Sequence, residues 1–268
     1  MKLHRYLLHA LFVALLAAAP MAMAADSSAS DDHASPPIPQ AFKTKTVVFV
    51  HGFFADGSGW KSVIERLQAL HINVVAVQNP LISLAGDVEA TRRVVDRLPG
   101  EVVLVGHSYG GFVITNAGLN PKVVSLVYVA AFAPEVGESV NTLLSGYPPA
   151  PWGPDLIADD AGDLTMTSAD YVKYFAPDLP RRQAMALSAV QVGPAAAGFA
   201  EPAVAAAWQA RPSWYVLTLD DQMIDPNLQK FMSARINAKV TSVHSSHSVM
   251  LSHPDLVTEV ILEAFLSR

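Results

Sequence analysis

Residues 101–117 read EVVLVGHSYGGFVITNA, and Gly106-His107-Ser108-Tyr109-Gly110 has the pattern G-x-S-x-G. An apolar, β-branched run precedes the motif and a helix-like segment follows it. That context places Ser108 on a sharp strand-to-helix turn, its hydroxyl raised above the edge of a sheet. The flanking glycines carry no Cβ to clash in so tight a turn. The helix that follows aims its N-terminus at whatever the hydroxyl meets. The chemistry on offer is nucleophilic attack by a serine oxygen.

A serine hydroxyl is a poor nucleophile near neutral pH. It needs a base within hydrogen-bond reach and a third group to orient that base. Behind such a turn the partners follow in the order Ser, Asp or Glu, His. The segment HSSHSVMLSHP (244–254) offers His244, His247 and His253. His247 is the first choice, since it lies mid-loop with length to reach back over a sheet. His244 follows a strand directly and is second. His253 abuts Pro254 and suits a contact at a helix start. His244 and His247 have H-x-x-H spacing, but no cluster of Asp, Glu or Cys lies beside them, so a metal site is not expected. TLDDQMIDP (218–226) offers Asp220, Asp221 and Asp225. Asp221 is preferred for its distance past the strand, Asp220 is second, and Asp225 before Pro226 suits a turn. Each also reads as a solvated loop carboxylate.

A tetrahedral oxyanion needs backbone N–H donors, each worth on the order of 3–4 kcal/mol to the transition state. One is the amide of Tyr109, after the serine. The other is expected from Phe53 in the loop HGFFADG (51–57). His51 and His107 read as structural hydrogen-bonders.

The elements that must position these groups are six apolar runs. TKTVVFV (44–50), INVVAVQ (72–78), EVVLVG (101–106), KVVSLVYVA (122–130), SWYVLTL (213–219) and AKVTSV (238–243) read as strands. Helical patterns over 58–70, 84–98, 109–119 and 254–266 alternate with them. Val/Ile/Leu-rich strands interleaved with helices imply an α/β fold with a mostly parallel sheet covered on both faces. Residues 44–132 and 213–268 form the expected core. Residues 133–212 break the rhythm, with helical patterns at 181–192 and 202–210, and are expected to form a helical cap after the fourth strand. A crossover of that length usually has a function.

The chain has 268 residues, net charge −6 and no cysteine. Lys2 and Arg5, the apolar run 6–19 and Ala22-Met23-Ala24 read as a signal peptide over 1–24. Export to the periplasm or medium is therefore expected, with no disulfide and no membrane span in the mature chain. Residues 25–43, rich in Ser, Asp, Ala and Pro, read as a disordered leader. No Lys/Arg cluster suggests a nucleic-acid partner. Monomer or dimer stays open.

Together HGFFADGSGW (51–60), VQNPLISLAGDVEATRRVV (77–95), GHSYGGFVI (106–114), VYVAAFAPEVGES (127–139) and HSVMLSHP (247–254) resemble bacterial esterase-like α/β-hydrolases. These are relatives of the plant methylesterase and hydroxynitrile lyase family. The resemblance runs from residue 45 to the C-terminus and is weakest over 133–212. It implies the α/β-hydrolase fold, with Ser108 as nucleophile, His247 as base, Asp221 as acid and the Phe53 and Tyr109 amides as oxyanion hole. The expected chemistry is cleavage of carboxylic esters through an acyl-enzyme, with no cofactor, and an apolar pocket would favour small to medium acyl or aryl esters. Phe54, Trp152, Phe175 and Trp208 are candidate pocket walls, with Tyr171 and Phe199; each also reads as core packing. The hydroxynitrile lyases of this family resemble one another in a threonine after the oxyanion-loop histidine and a lysine after the catalytic histidine. Here Gly52 and Ser248 stand there, which counts against lyase chemistry. A non-hydrolytic enzyme such as a C–C lyase is the alternative. A binding member without catalysis is a third reading.

Overall fold

The computed structural model describes residues 44–267, so the expected signal peptide (1–24) and leader (25–43) lie outside the described residues. Six strands form one sheet: β1 (Thr46–Val50), β2 (Asn73–Val77), β3 (Val102–His107), β4 (Val123–Val129), β7 (Ser213–Thr218) and β8 (Lys239–Val243). Their order is β2-β1-β3-β4-β7-β8, and every pairing is parallel. All six expected strands are present.

Burial follows from position in the sheet. Every residue of β1, β3 and β7 is buried, as continuous apolar runs require in a sheet covered on both faces. β8 is an edge strand; Lys239, Val240 and Ser242 are exposed there, and a lysine is a common guard of an open edge.

The helices are α1 (Lys61–Ala69), α2 (Leu84–Arg97), α3 (Gly110–Ala117), α4 (Val140–Leu144), α5 (Arg181–Ser188), α6 (Pro226–Arg235) and α7 (Pro254–Leu266), with shorter turns between them. α1 packs on α7, and α2 packs on α3. Right-handed crossovers put α1 on one face of the sheet and α2 and α3 on the other. The chain steps from β1 to β2 in one direction along the sheet and from β2 to β3 and β4 in the other. The connecting helices therefore fall on opposite faces. Among the described residues no helix is long and apolar enough to cross a membrane.

Between β4 and β7 the chain carries α4, a two-stranded hairpin of β5 (Ile157–Ala158) and β6 (Leu164–Thr165), a π-helical turn at Tyr171–Phe175, and α5. The hairpin had no signal in the sequence. The helix expected over 202–210 is one 3-10 turn, Ala207–Gln209. The Ala203 carbonyl, which a helix would offer to Ala207 N–H, accepts from Gly137 N–H instead. Ala203 N–H donates to Glu138 O, and the Val204 and Ala205 N–H groups both donate to Asn116 Oδ1.

Candidate active site

In a parallel sheet the loops leaving the strands' C-terminal ends converge on one rim. The loop after β1 carries His51–Asp56, the turn after β3 carries Ser108, the loop after β7 carries Asp221, and the loop after β8 carries His247. The topology thus gathers all the sequence-chosen groups.

Ser108 has φ +55°, a left-handed conformation that a non-glycine residue adopts only under strain of about 1–2 kcal/mol. Two bonds hold it there: Gly111 N–H and Phe132 N–H both donate to Ser108 O, at 3.0 and 3.1 Å. The surroundings leave no room for side chains at the flanking glycines. A Cβ on Gly106 would lie 2.6 Å from Gly110 O, and one on Gly52 would lie 2.6 Å from Ser108 Cβ. The loop after β1 therefore passes directly against the serine.

His247 Nδ1 lies 2.9 Å from Asp221 Oδ2, and the two residues are 1% and 5% exposed. Asp221 Oδ1 accepts from the Met223 and Ile224 amides, and Oδ2 accepts from Thr218 Oγ1 and Gln229 Nε2. His107 ties the histidine loop to the serine turn. Its Nε2–H donates to His247 O at 2.9 Å, and the two imidazole centroids are 4.5 Å apart. Burial, then the neighbouring His247, push the His107 pKa well below the ordinary histidine value. His107 is thus a neutral structural donor. The other candidates lie apart. His244 faces Asp220 at 3.2 Å on the exposed surface, His253 bonds Ser252 at the start of α7, and Asp225 caps α6 through Asn227 N–H.

The Phe53 amide is oriented by His51. Asn79 N–H donates to His51 Nε2 at 2.9 Å, so the ring proton is on Nδ1, which donates to Gly52 O at 3.0 Å. Gly52 C=O and Phe53 N–H share one planar trans peptide and point opposite ways. Holding the oxygen therefore aims the N–H. A Cβ on Gly52 would also sit 3.0 Å from Tyr109 N, so the two amide-bearing segments are adjacent. Among the described residues neither the Phe53 nor the Tyr109 amide has a backbone acceptor. Their side chains stack on each other, with ring centroids 3.9 Å apart.

The profile of the alpha/beta hydrolase family matches residues 47–260. The chain belongs to that family. It is 30% identical over 242 residues to an alpha/beta hydrolase, nvfD, of Aspergillus novofumigatus, covering 81% of this chain and 95% of that protein. Among solved structures it resembles polyneuridine aldehyde esterase, with TM-score 0.72, 17% identity and coverage of 82% and 98%. It also resembles a methylesterase protein, MES16, from Arabidopsis, with TM-score 0.67, 19% identity and coverage of 82% and 98%. The expected α/β-hydrolase resemblance and fold are thereby shown.

In this alpha/beta hydrolase, aromatic rings from the β4–β7 crossover surround the rim. Phe199 lies 4.7 Å from Phe53, and Trp152 stands edge-on to Phe54 at 6.2 Å. Phe175 stands edge-on to His247 at 4.9 Å and stacks on Tyr171. Trp208 is half-buried at the margin of the core, where its Nε1–H donates to Pro134 O. It has no ring contact with the others among the described residues. A groove of about 550 Å³ lined by Asp178, Asp220, His244, Ser246 and His253 adjoins the histidine loop, but neither Ser108 nor His247 lines it.

Four supporting residues escaped the sequence reading: Asn79, Asp87, Asp178 and Gln229. Asp87 had a signal. It shares the buried stripe of α2 with Leu84, Val88, Thr91 and Val95, at helical spacing. A carboxylate on the apolar face of a helix needs a partner somewhere.

Proposed function

We propose that this alpha/beta hydrolase is a serine esterase that cleaves small to medium acyl or aryl carboxylic esters. The reading rests above all on the buried His247–Asp221 bond, behind a strained serine turn to which His107 ties the histidine loop. Asp221 keeps the proton on His247 Nδ1, which leaves Nε2 free as a base. His247 takes the Ser108 proton as the oxygen attacks the ester carbonyl. The oxyanion rests on the Phe53 and Tyr109 amides. His247 then protonates the leaving alcohol, and a water that it activates releases the acid from Ser108.

Two observations favour hydrolysis over cyanohydrin cleavage. Gly52 has no hydroxyl to offer, and the Ser248 hydroxyl is engaged with Phe175 O at 2.9 Å. Aromatic walls favour apolar acyl or aryl groups.

The test is initial-rate hydrolysis of p-nitrophenyl acetate, butyrate and octanoate by the wild type and Ser108→Ala. Turnover by the wild type and a loss of at least about 10³-fold in the variant support the reading. Turnover that survives in the variant refutes it.

A further inference from the structure

Asp87 is completely buried in α2 and belongs to no part of the catalytic scheme above. Its two oxygens take one neutral donor each. Oδ1 accepts from Leu81 N–H and Oδ2 accepts from the Tyr109 hydroxyl, both at 2.9 Å. Burial raises its pKa to about 6, the two hydrogen bonds oppose that rise, and nearby Glu201 adds to it. Burial, with Asp87 opposite, also pushes the Tyr109 phenol far above its usual value, so the hydroxyl stays a donor. Removing the Asp87 carboxylate would leave two buried donors, Leu81 N–H and the Tyr109 hydroxyl, without an acceptor.

Both bonds lead to the oxyanion-binding amides. The Tyr109 hydroxyl is the far end of a side chain whose own N–H is one donor. The Tyr109 ring stacks on Phe53, whose N–H is the other. The Leu81 bond secures the second arm. Leu81 has φ +57°, and the same loop presents Asn79 N–H to His51, which fixes the Gly52–Phe53 peptide. One carboxylate thus reaches both donors from behind.

We propose that Asp87 is a positioning residue for the oxyanion site: it anchors the Tyr109 hydroxyl, and the Tyr109–Phe53 stack carries that anchor to both amides. The inference rests on the esterase reading above. Small misplacements of such donors slow the chemical step, by up to about 10²-fold for an ångström, without loosening ground-state binding in proportion.

The experiment compares wild type, Tyr109→Phe, Asp87→Leu, the double variant and Asp87→Asn. It records kcat and KM on p-nitrophenyl butyrate, the rate of Ser108 labelling by a fluorophosphonate, and the melting temperature. Tyr109→Phe keeps the ring stack and removes only the anchor. Its kcat and labelling rate should fall about 10-fold with KM within about twofold. Asp87→Leu should fall at least as far, with the double variant no worse, because the two changes break one bond. Asp87→Asn should recover most of the loss, since its oxygen can accept from Leu81 and its amide can donate to the tyrosine oxygen.

Wild-type kcat and labelling in Tyr109→Phe overturn the inference alone. So does a loss that follows melting temperature and leaves kcat intact in the folded fraction. If Asp87→Leu does not fold, Tyr109→Phe and Asp87→Asn still decide. A wild type that neither turns over esters nor labels at Ser108 overturns the esterase reading, and this inference with it.

Discussion

Ser246 Oγ donates to Asp178 Oδ1 at 2.5 Å, one residue before His247 in the chain. Ser246 N–H and Ser245 Oγ both donate to Asp178 Oδ2, and Ser248 Oγ donates to Phe175 O on the other side of the histidine. The loop bearing His247 is therefore stitched on one flank to Asp178, after the π-helical turn, and on the other to Phe175, the turn's last residue. The position of His247 depends on residues more than 65 positions earlier in the chain.

Asp178→Ala should loosen this stitch. Burial alone would raise the Asp178 pKa, but the bonds from Ser246, Ser245 and Ser252 outweigh it and hold it below the ordinary value. A depressed folded-state pKa contributes stability above the unfolded value of about 4 and loses it as pH falls through the folded one. Because the carboxylate is solvent-screened, the contribution is about 1 kcal/mol, or roughly 2–4 °C in Tm at this size. Thermal melts should show that gap at pH 7 and its closure below pH 4. A gap unchanged at pH 3 would show that the carboxylate's charge is not what stabilises the loop.

Gly52→Ala tests the contact between the loop after β1 and the serine. The added Cβ would overlap Ser108 Cβ and His107 O, at 2.6 and 2.9 Å, with neither able to move freely. The Phe53 amide should be displaced, and kcat/KM should fall about 10²-fold or more. Circular dichroism should report an intact fold, because the new methyl meets only the C-terminal end of β3 and the serine turn. Near-normal turnover would mean that the Phe53 amide is not an oxyanion donor.

Asp221→Asn should cost on the order of 10⁴-fold in kcat, the loss seen when another serine triad is given asparagine in place of its acid. Here the reason is local. Five donors converge on Asp221, so an amide NH2 would face N–H or O–H groups wherever it turned. Gln229→Ala removes one of the five and should fall between this variant and the wild type. Equal rates for Asp221→Asn and the wild type would move the acid's role to another residue.

The fold was legible because its central strands β1, β3 and β7 are buried throughout and are written largely in apolar runs. Loop length and Pro254 singled out His247 over His244 and His253, and it is His247 that meets the buried Asp221. Asp221 over Asp220 was a matter of one residue past the end of β7. What the sequence hid was tertiary. The 202–210 stretch has a helical composition, yet the Ala203 carbonyl that a helix would use accepts from Gly137 N–H. Asp178 and Ser246 stand 68 positions apart, and no local pattern joins them. Asp87 stood in plain view on an apolar helix face, but its partner Tyr109 was assigned only a backbone role.

Access to the serine supplies the last prediction. Ser108 is 7% exposed and His247 1%, with Phe53, Phe54, Trp152 and Phe199 packed over the rim. Trp152 spans that cover. Its ring stands against Phe54, and its Nε1–H donates to Met223 O beside the Asp221 loop. Trp152→Ala should open space where the largest ring stood. The octanoate-to-acetate ratio of kcat/KM should rise by about 10-fold, in keeping with the 1–3 kcal/mol that one or two methylenes are worth in an apolar pocket. The melting temperature should fall as well, because a buried aromatic truncated to alanine leaves a cavity costing about 3–5 kcal/mol. A ratio that stays fixed while stability drops would place the acyl chain elsewhere and leave Trp152 as packing alone.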